Sequence, residues 1–464
     1  MKEGGETKRR NCHDGWIETA NAWSAGKELT RISECVLLAM VHLNGRRTTR
    51  MRRMTIALGV LLFVGSTAAH AVELGDVEIH GFGSTGYMQS DHNNYLVSSE
   101  DGSFEFNEAA VNFSASLTED IQVGMQLYSF DLGDIGNNDV ELDSAFLDYE
   151  WKEWLALRAG KFKSPYGLYT EVQDYDMLRT SVLLPQGVYN RLLRESLMNL
   201  QGGDVHGKTS LGAAGAIHYD AFAGTFEVDT DGGMRKMLEQ GGTSLGVTNA
   251  EVEDAKADYV AGCRLKWDTP VDGLLLAATG GQFNLTYHVG GQMQVAPDTI
   301  LDLDIETKMP KGRVYWYSAE YSLGNLTAAA ECVRYKADQR INILSQGAPV
   351  MPGQKQKLDW EGYYGLISYR FADWLEAGAY YSVFYNDADD HDGSEQLASG
   401  LIGVDYEAWQ KDLALSTRFD ITDSWLVKLE VHFMDGVALA RYTENPEGLD
   451  EDWTLYAVKT TFNF

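Results

Sequence analysis

The feature that most constrains this 464-residue chain is an alternation of apolar and polar residues, renewed in stretch after stretch. In IQVGMQLYSF, Ile121, Val123, Met125 and Leu127 fall on one side of an extended chain, and Gln122, Gly124, Gln126 and Tyr128 on the other. SWLVKLEVHF sets Trp425, Val427, Leu429, Val431 and Phe433 against Leu426, Lys428, Glu430 and His432. WLEAGAYYSVFY gives the row Leu375, Ala377, Ala379, Tyr381, Val383 and Tyr385, and YYGLISYRF the row Tyr363, Ile367, Tyr369 and Phe371. A period of two over such lengths is a strand with one apolar and one polar face. The stretches run roughly 9–14 residues, longer than the roughly 5–6 of soluble sheets and suited to a tilted strand crossing a bilayer.

Past residue 71 no run approaches the roughly 18 apolar residues of a spanning helix. Short turns are expected at 118–120, 152–153, 211–214, 270–273, 324–325, 372–373 and 422–423. Long loops, such as 89–102, 164–201, 227–256, 290–308, 337–357, 387–403 and 435–452, are expected in strict alternation with the turns. Seven turns join fourteen strands, and one strand at each end makes sixteen, an even number of antiparallel strands with short periplasmic turns. In hydrocarbon every backbone N–H and C=O must be paired within the protein, so such a sheet has to close. The expected fold is therefore all-β, a 16-stranded antiparallel transmembrane β-barrel over residues 72–464. Trp151, Trp154, Trp267, Trp374, Trp425 and Trp453 suit an interfacial girdle.

Ahead of it, MRRMTIALGVLLFVGSTAAHA (51–71) has a basic start, a short apolar run and an Ala-His-Ala end, the pattern of a secretory signal peptide. Residues 1–50 read as a non-native extension, with translation starting at Met51 or Met54. The chain is acidic, 68 Asp and Glu against 38 Lys and Arg, which disfavours nucleic acid as a partner. Cys12 and Cys35 fall before residue 72; Cys263 and Cys332, in separate strands, lack a neighbouring His or Cys, so no metal or other cofactor is expected, and their pairing is left open.

Two short motifs suggest enzymes, and neither has the right context. GFGSTG (81–86) matches a dinucleotide-binding turn, yet YMQSDHNNY after it offers no helix. It belongs to a first strand over 76–88, where Gly81 and Gly83 permit close approach or a bend. GTSLG (242–246) matches a nucleophile elbow but sits in a Gly-rich loop. No catalytic residue is assigned.

The segment ALRAGKFKSPYGLYTEVQDYDMLRTSVLLPQGVYN (156–190) resembles the Gram-negative trimeric porins, especially the phosphate-selective O/P-like branch. Their RAG-(K/R)-x-K-x-P-(Y/F)-G element leads into a third loop bearing LLPQ-x-(V/I)-Y. The terminal row Tyr456, Val458, Thr460, Phe462 and Phe464 similarly resembles the closing strand that serves outer-membrane barrels as an assembly signal. The resemblance implies an outer-membrane homotrimer, a third loop folded into the bore, and partners in the lipid, lipopolysaccharide and barrel-assembly machinery. Met177, Leu178, Val182, Leu183, Leu184, Leu192 and Leu193 in 164–201 need a packing partner, which the barrel wall would supply.

A pore selects by the charges at its narrowest level. Inward parity assigns Arg158, Arg264, Arg370 and Arg418 to the lumen, with Lys161 and Lys163 at the rim. The last two have parity opposite to Arg158, so either Gly160 accommodates a bulge or one set faces elsewhere. From the loop, Arg179, Arg191 and Arg194 oppose Glu171, Asp174 and Asp176. The phosphate-selective relatives use a dense arginine ladder and a lysine cluster, whereas the inward bases here are scattered. The expected function is a general or weakly selective diffusion channel for small hydrophilic solutes and ions. An anion- or phosphate-selective porin and a plugged structural or adhesive barrel are the alternatives. The acidic loops 387–392 and 444–452 would hold divalent cations bridging lipopolysaccharide, or stay solvated.

Overall fold

A computed structural model describes residues 77–229 and 232–464. The extension over 1–50, the signal peptide over 51–71 and the start of the barrel at 72–76 lie outside the described residues. Sixteen long strands follow in chain order: β1 (Val77–Ser90), β2 (Phe106–Ser116), β3 (Ile121–Leu132), β4 (Val140–Lys152), β5 (Leu155–Lys163), β6 (Asn199–Ser210), β7 (Ala216–Thr225), β8 (Thr248–Asp268), β9 (Leu274–Ala296), β10 (Thr299–Leu323), β11 (Leu326–Ser345), β12 (Gln354–Ala372), β13 (Leu375–Tyr385), β14 (Trp409–Thr422), β15 (Trp425–Gly436) and β16 (Asp452–Asn463). A two-residue strip, Ala348–Pro349, folds back on the tip of β11. Each strand pairs antiparallel with its sequence neighbours, and β1 pairs with both β2 and β16, so the sheet closes on itself.

Closure explains the GFGSTG stretch. The amides of Gly81 and Phe464 each donate to the other's carbonyl at 3.0 Å. The Phe464 ring lies 2.5 Å from where a Cβ on Gly81 would sit. On the other face, the Phe106 ring fills the place of a Gly86 side chain. The glycines are where the last strand and its neighbours seat against the first.

The outward rows leave large apolar residues exposed around the wall, among them Leu157, Leu265, Ile367, Leu429 and Val458. Such a belt on a closed sheet is the surface of a transmembrane barrel. Trp151, Trp154, Trp267, Trp374 and Trp425 are exposed beside the short turns. Trp453 departs from the expected girdle. It shares parity with the inward Leu455 and Lys459, is only 3% exposed, and packs edge-on against Tyr95.

Two of the expected loops are largely strand. β8, β9, β10 and β11 run 21, 23, 25 and 20 residues. With the strip 348–349 and the start of β12 they absorb most of 290–308 and 337–357 and the end of 227–256, whose middle is a helix, Gly233–Ser244. At roughly 3.3 Å per residue the longest strand spans about 80 Å, well beyond the roughly 30 Å hydrocarbon layer. The connection from β9 to β10 shrinks to the pair 297–298, and that from β3 to β4 to 133–139, so short and long do not alternate strictly.

The polarity of the wall also inverts. On β10, Leu303, Ile305, Thr307 and Met309 are buried inward, while Val314, Trp316 and Ser318 are the buried residues further along. Between them the pairing slips on both sides, at Met309/Gly312 against β9 and at Lys308/Arg313 against β11, with Lys311 at φ 60°. This bulge switches odd-numbered residues from the inner to the outer face, since an added residue reverses strand parity. Tyr315 and Tyr317 therefore face out, although apolar residues keep odd numbers on both sides of the bulge. Past the bulge, towards the loops, the inside of the barrel is the apolar side.

Candidate functional site: the loop packed across the barrel

Residues 164–198 leave β5 and return at β6, with the neck closed by the Ser164 amide donating to the Met198 carbonyl at 2.6 Å. Between these points the loop bonds to inward-facing side chains on most of the wall. Towards β10–β12, buried Glu331 accepts from the Leu168 amide (2.9 Å), Trp316 Nε1 (3.0 Å), Ser318 Oγ (2.5 Å), Tyr364 Oη (2.7 Å) and Tyr189 Oη. Five donors satisfy one carboxylate, which is what a charge in a dry site requires. Gly167, at φ 51°, lets the chain turn where a side chain would meet Tyr189 and Trp316.

Towards β14–β16, Glu430 accepts the Val182 and Leu183 amides, both at 2.8 Å, and Ser416 Oγ at 2.5 Å. Lys428 Nζ donates to the Asp176 and Ser181 carbonyls at 2.7 and 2.9 Å, and Arg418 Nη1 to the Met177 carbonyl at 2.5 Å. The Asp176 carboxylate faces Lys459 (2.7 Å), Arg179 (2.5 Å) and Lys428 (3.6 Å). Thr180 donates to Glu376 on β13.

Towards β2–β5, Asp174 takes a two-point grip from Arg194 (2.8 and 2.7 Å) and an ion pair from Lys163 (2.7 Å). Asp143 adds contacts to Lys163 (2.5 Å) and Arg194 (3.3 Å). Arg191 bonds Glu108 and the Tyr128 hydroxyl (3.0 Å), and the Arg194 guanidinium lies 3.7 Å over the Tyr128 ring. Towards β7 and β8, Glu171 meets Arg264 at 2.6 Å, and Arg264 also holds Asp220 at 2.9 Å.

Apolar burial reinforces the anchors. Val182, Leu183 and Leu192 join a cluster with Phe82, Phe106 and Phe130. Leu184 and Val188 join another with Phe162, Trp316 and Tyr364. Each such side chain contributes up to about 1.5–3 kcal/mol. Leu178 is the exception to the expected packing, being 43% exposed.

Electrostatics on the loop follow from these pairs. Burial by itself would raise the carboxyls of Asp174 and Asp176, but facing cations hold both well below the usual range: Arg194 and Lys163 for the first, Lys459, Lys428 and Arg179 for the second. Glu171 is lowered in the same way by Arg264 and Lys266. Glu195, next to Arg194 but without such a grip, is pushed up to about 7 by burial.

The residues expected to line the narrowest level thus behave unequally. Asp174, Asp176, Arg179, Arg191, Arg194, Lys163 and Arg264 are drawn together as anchoring pairs. Arg179 and Arg194 bond to Asp176 and Asp174 instead of facing them across a gap. Arg158 faces inward with Asp148 (2.8 Å), and Arg370 with Asp420 and Glu376 (both 2.8 Å). Lys161 lies opposite Ala145, off the Arg158 parity, and donates to the Leu142 carbonyl at 2.8 Å. Of the two alternatives for these bases, a bulge at Gly160 is absent and Lys161 faces elsewhere. Gly160 keeps register with Phe146 and Gly202, and the slip falls on β4 between Leu142 and Ser144, which brings Asp143 inward. Lys163 reaches the lumen as the last strand residue before the loop turns in.

Parity alone misses half the site. Glu108, Asp143, Glu331, Lys428, Glu430 and Lys459 hold the loop, yet only Lys428, Glu430 and Lys459 stand out by inward parity in the sequence. Register supplies the rest. Arg370, Glu376, Arg418, Lys428 and Lys459 lie directly opposite one another on five consecutive strands, so bases scattered in sequence form one row. Cys263 and Cys332, on β8 and β11, are free and exposed. Tyr456, Val458, Phe462 and Phe464 are exposed on the outer face. In GTSLG, the Ser244 hydroxyl donates to the Gln240 carbonyl at 3.0 Å, ending the helix Gly233–Ser244.

No protein-family profile matches the chain, and no curated protein matches its sequence. Among solved structures, the outer-membrane channel DcaP of Acinetobacter baumannii is 10% identical with a TM-score of 0.49, over 84% of this chain and 97% of that one. The anion-selective porin from Comamonas acidovorans is 10% identical with a TM-score of 0.45, over 84% and 99%. OmpF of Salmonella typhi, solved with daunomycin, is 12% identical with a TM-score of 0.49, over 84% and 97%. Identities this low transfer no function.

Proposed function

We propose that this chain is an outer-membrane channel for small solutes and ions, with the 164–198 loop setting the width and selectivity of the passage. The observation that carries the reading is charge balance at the level of the loop. The row of bases on β12–β16 is answered by Glu376 and Asp176, Arg264 by Glu171 and Asp220, and the loop's own arginines by Asp174, Asp176 and Glu108. A pore without an unpaired ring of one sign discriminates weakly between anions and cations. The resemblance of 156–190 to trimeric porins supports assembly in threes, and the terminal apolar row supports recognition by the barrel-assembly machinery. We assign no catalytic role.

The extent of the loop's anchoring favours the second reading, a barrel plugged at mid-height. Recording from refolded 72–464 protein in planar bilayers separates the two. Discrete steps in groups of three, with a reversal potential near zero across a KCl gradient, are the expected outcome. A strong anion preference supports the phosphate-type alternative, and silence from correctly folded barrel supports the plug.

A further inference from the structure

The inner wall above the loop is not that of an aqueous vestibule. A cavity of about 850 Å³ lies between the 164–198 loop and the long-loop end, with Met237 and Leu238 of the helix Gly233–Ser244 on one side and Leu285, Ile305, Trp316 and Trp360 on the wall. Its size falls within the roughly 300–1,000 Å³ of small-molecule sites. Apolar side chains occur here because β8–β11 continue past the membrane with their apolar row turned inward, Val252, Val289, Leu303, Ile305 and Ile341 forming a single cluster. Passage of salts alone gives no physical reason to keep such an apolar cluster.

The charge of the lining is equally distinctive. In a chain with a net charge of −30, the charged residues around this cavity are Arg194, Lys355, Lys357 and Arg441 against a single acid, Asp387. Arg194, Lys357 and Arg441 already have carboxylate partners. Lys355 has no ion pair among the described residues and sits exposed at the rim. An apolar body with one anionic end fits this distribution.

Resting on the channel reading above, we infer that the cavity is a binding site for amphipathic monoanions, with an aliphatic or aromatic body against Leu285, Ile305 and Trp316 and a carboxylate or sulfate at Lys355. The permeant or captured solute is then an amphiphile, which the polar composition of the chain does not suggest.

The test is binding of fluorescent dansylaminoundecanoate to the folded barrel in lipid nanodiscs, with empty nanodiscs as the blank and the uncharged methyl ester as a second probe. Saturable binding above that of empty nanodiscs is expected, with the ester weaker. Met237→Asp, which places a carboxylate in the apolar wall, is expected to weaken the acid by about tenfold or more. Lys355→Glu is expected to weaken it by about fivefold while leaving the ester unchanged. Lys355 is exposed, so this variant is expected to fold, and heat-modifiable gel mobility verifies both. Absence of saturable binding, or binding indifferent to both substitutions, overturns the site without touching the conductance result. Equal affinity for acid and ester overturns the anionic assignment. A failure of the channel reading would instead appear as silence in the bilayer, whatever the probe does.

Discussion

Asp176 shows what a single residue does in this lumen. It is fully buried and faces two buried lysines of the wall, Lys428 and Lys459, as well as Arg179. Asp176→Asn leaves those cations underpaired, and breaking a buried ion network from one side costs about 3–5 kcal/mol. The expected result is a lowered denaturant midpoint for the barrel in vesicles, with noisier conductance as the loop loosens. Acid and alkali act on different carboxyls. Asp174 and Asp176 are held well below their ordinary values, so their stabilisation is complete above the unfolded value of roughly 3.9 and is lost only as pH falls through the lower folded value. The loop is therefore expected to stay docked at pH 4 to about 5. Glu195 has the opposite sign. With its carboxyl raised from 4.5 to about 7, the folded state keeps a proton that the unfolded chain gives up. Stability is highest at the acid end of that window and declines by about 3 kcal/mol as pH rises through it. Glu195→Gln should flatten this decline, read as unfolding midpoints measured from acid to mildly alkaline pH. Unchanged pH dependence would mean that Glu195 meets water.

Among the elements, β10 and the 164–198 loop divide the labour. The bulge at Lys311 sets which half of β10 shows its apolar residues to lipid and which to the cavity. Deleting Lys311 shifts one half by a residue and sends its side chains to the wrong face. The expected outcome is failure to form heat-modifiable barrel. Deleting Gly347, exposed at the tip beyond the end of β11, shifts no membrane strand and is expected to leave barrel formation intact. The loop, for its part, is anchored around the wall by Glu108 on β2, Arg264 on β8, Glu331 on β11 and Glu430 on β15, so its backbone cannot shift far without breaking several of these contacts. Replacing 168–196 with a short Gly-Ser link should raise single-channel conductance several-fold. An unchanged conductance would place the narrowest level elsewhere.

At the scale of the whole molecule, the barrel joins two environments in one wall. Below the bulge the outer face is apolar and the inner face charged and paired; above it the inner face is apolar and the outer face carries Asp302, Asp304, Glu306 and Lys308. The acidic loop tips are partly answered by bases, as Asp389 is by Lys357 and Arg334. The net negative field of these tips is correspondingly reduced, and screening by salt should weaken it further.

Strand number, closure, the short turns, the exposed Trp residues beside them and the inward course of Arg158, Arg264, Arg370 and Arg418 follow from the sequence by itself, because side chains alternate and an unpaired edge cannot exist in hydrocarbon. The tertiary structure alone decided three other things. Bulges at Lys311 and Asp143 reverse parity, and a slip of one residue leaves the same apolar pattern in the sequence. Register gathers Lys428 and Lys459 into a row with Arg418, and pairing partners are distant along the chain. The ends of β8–β11 extend past the bilayer, where alternation persists but lipid no longer determines which face is apolar.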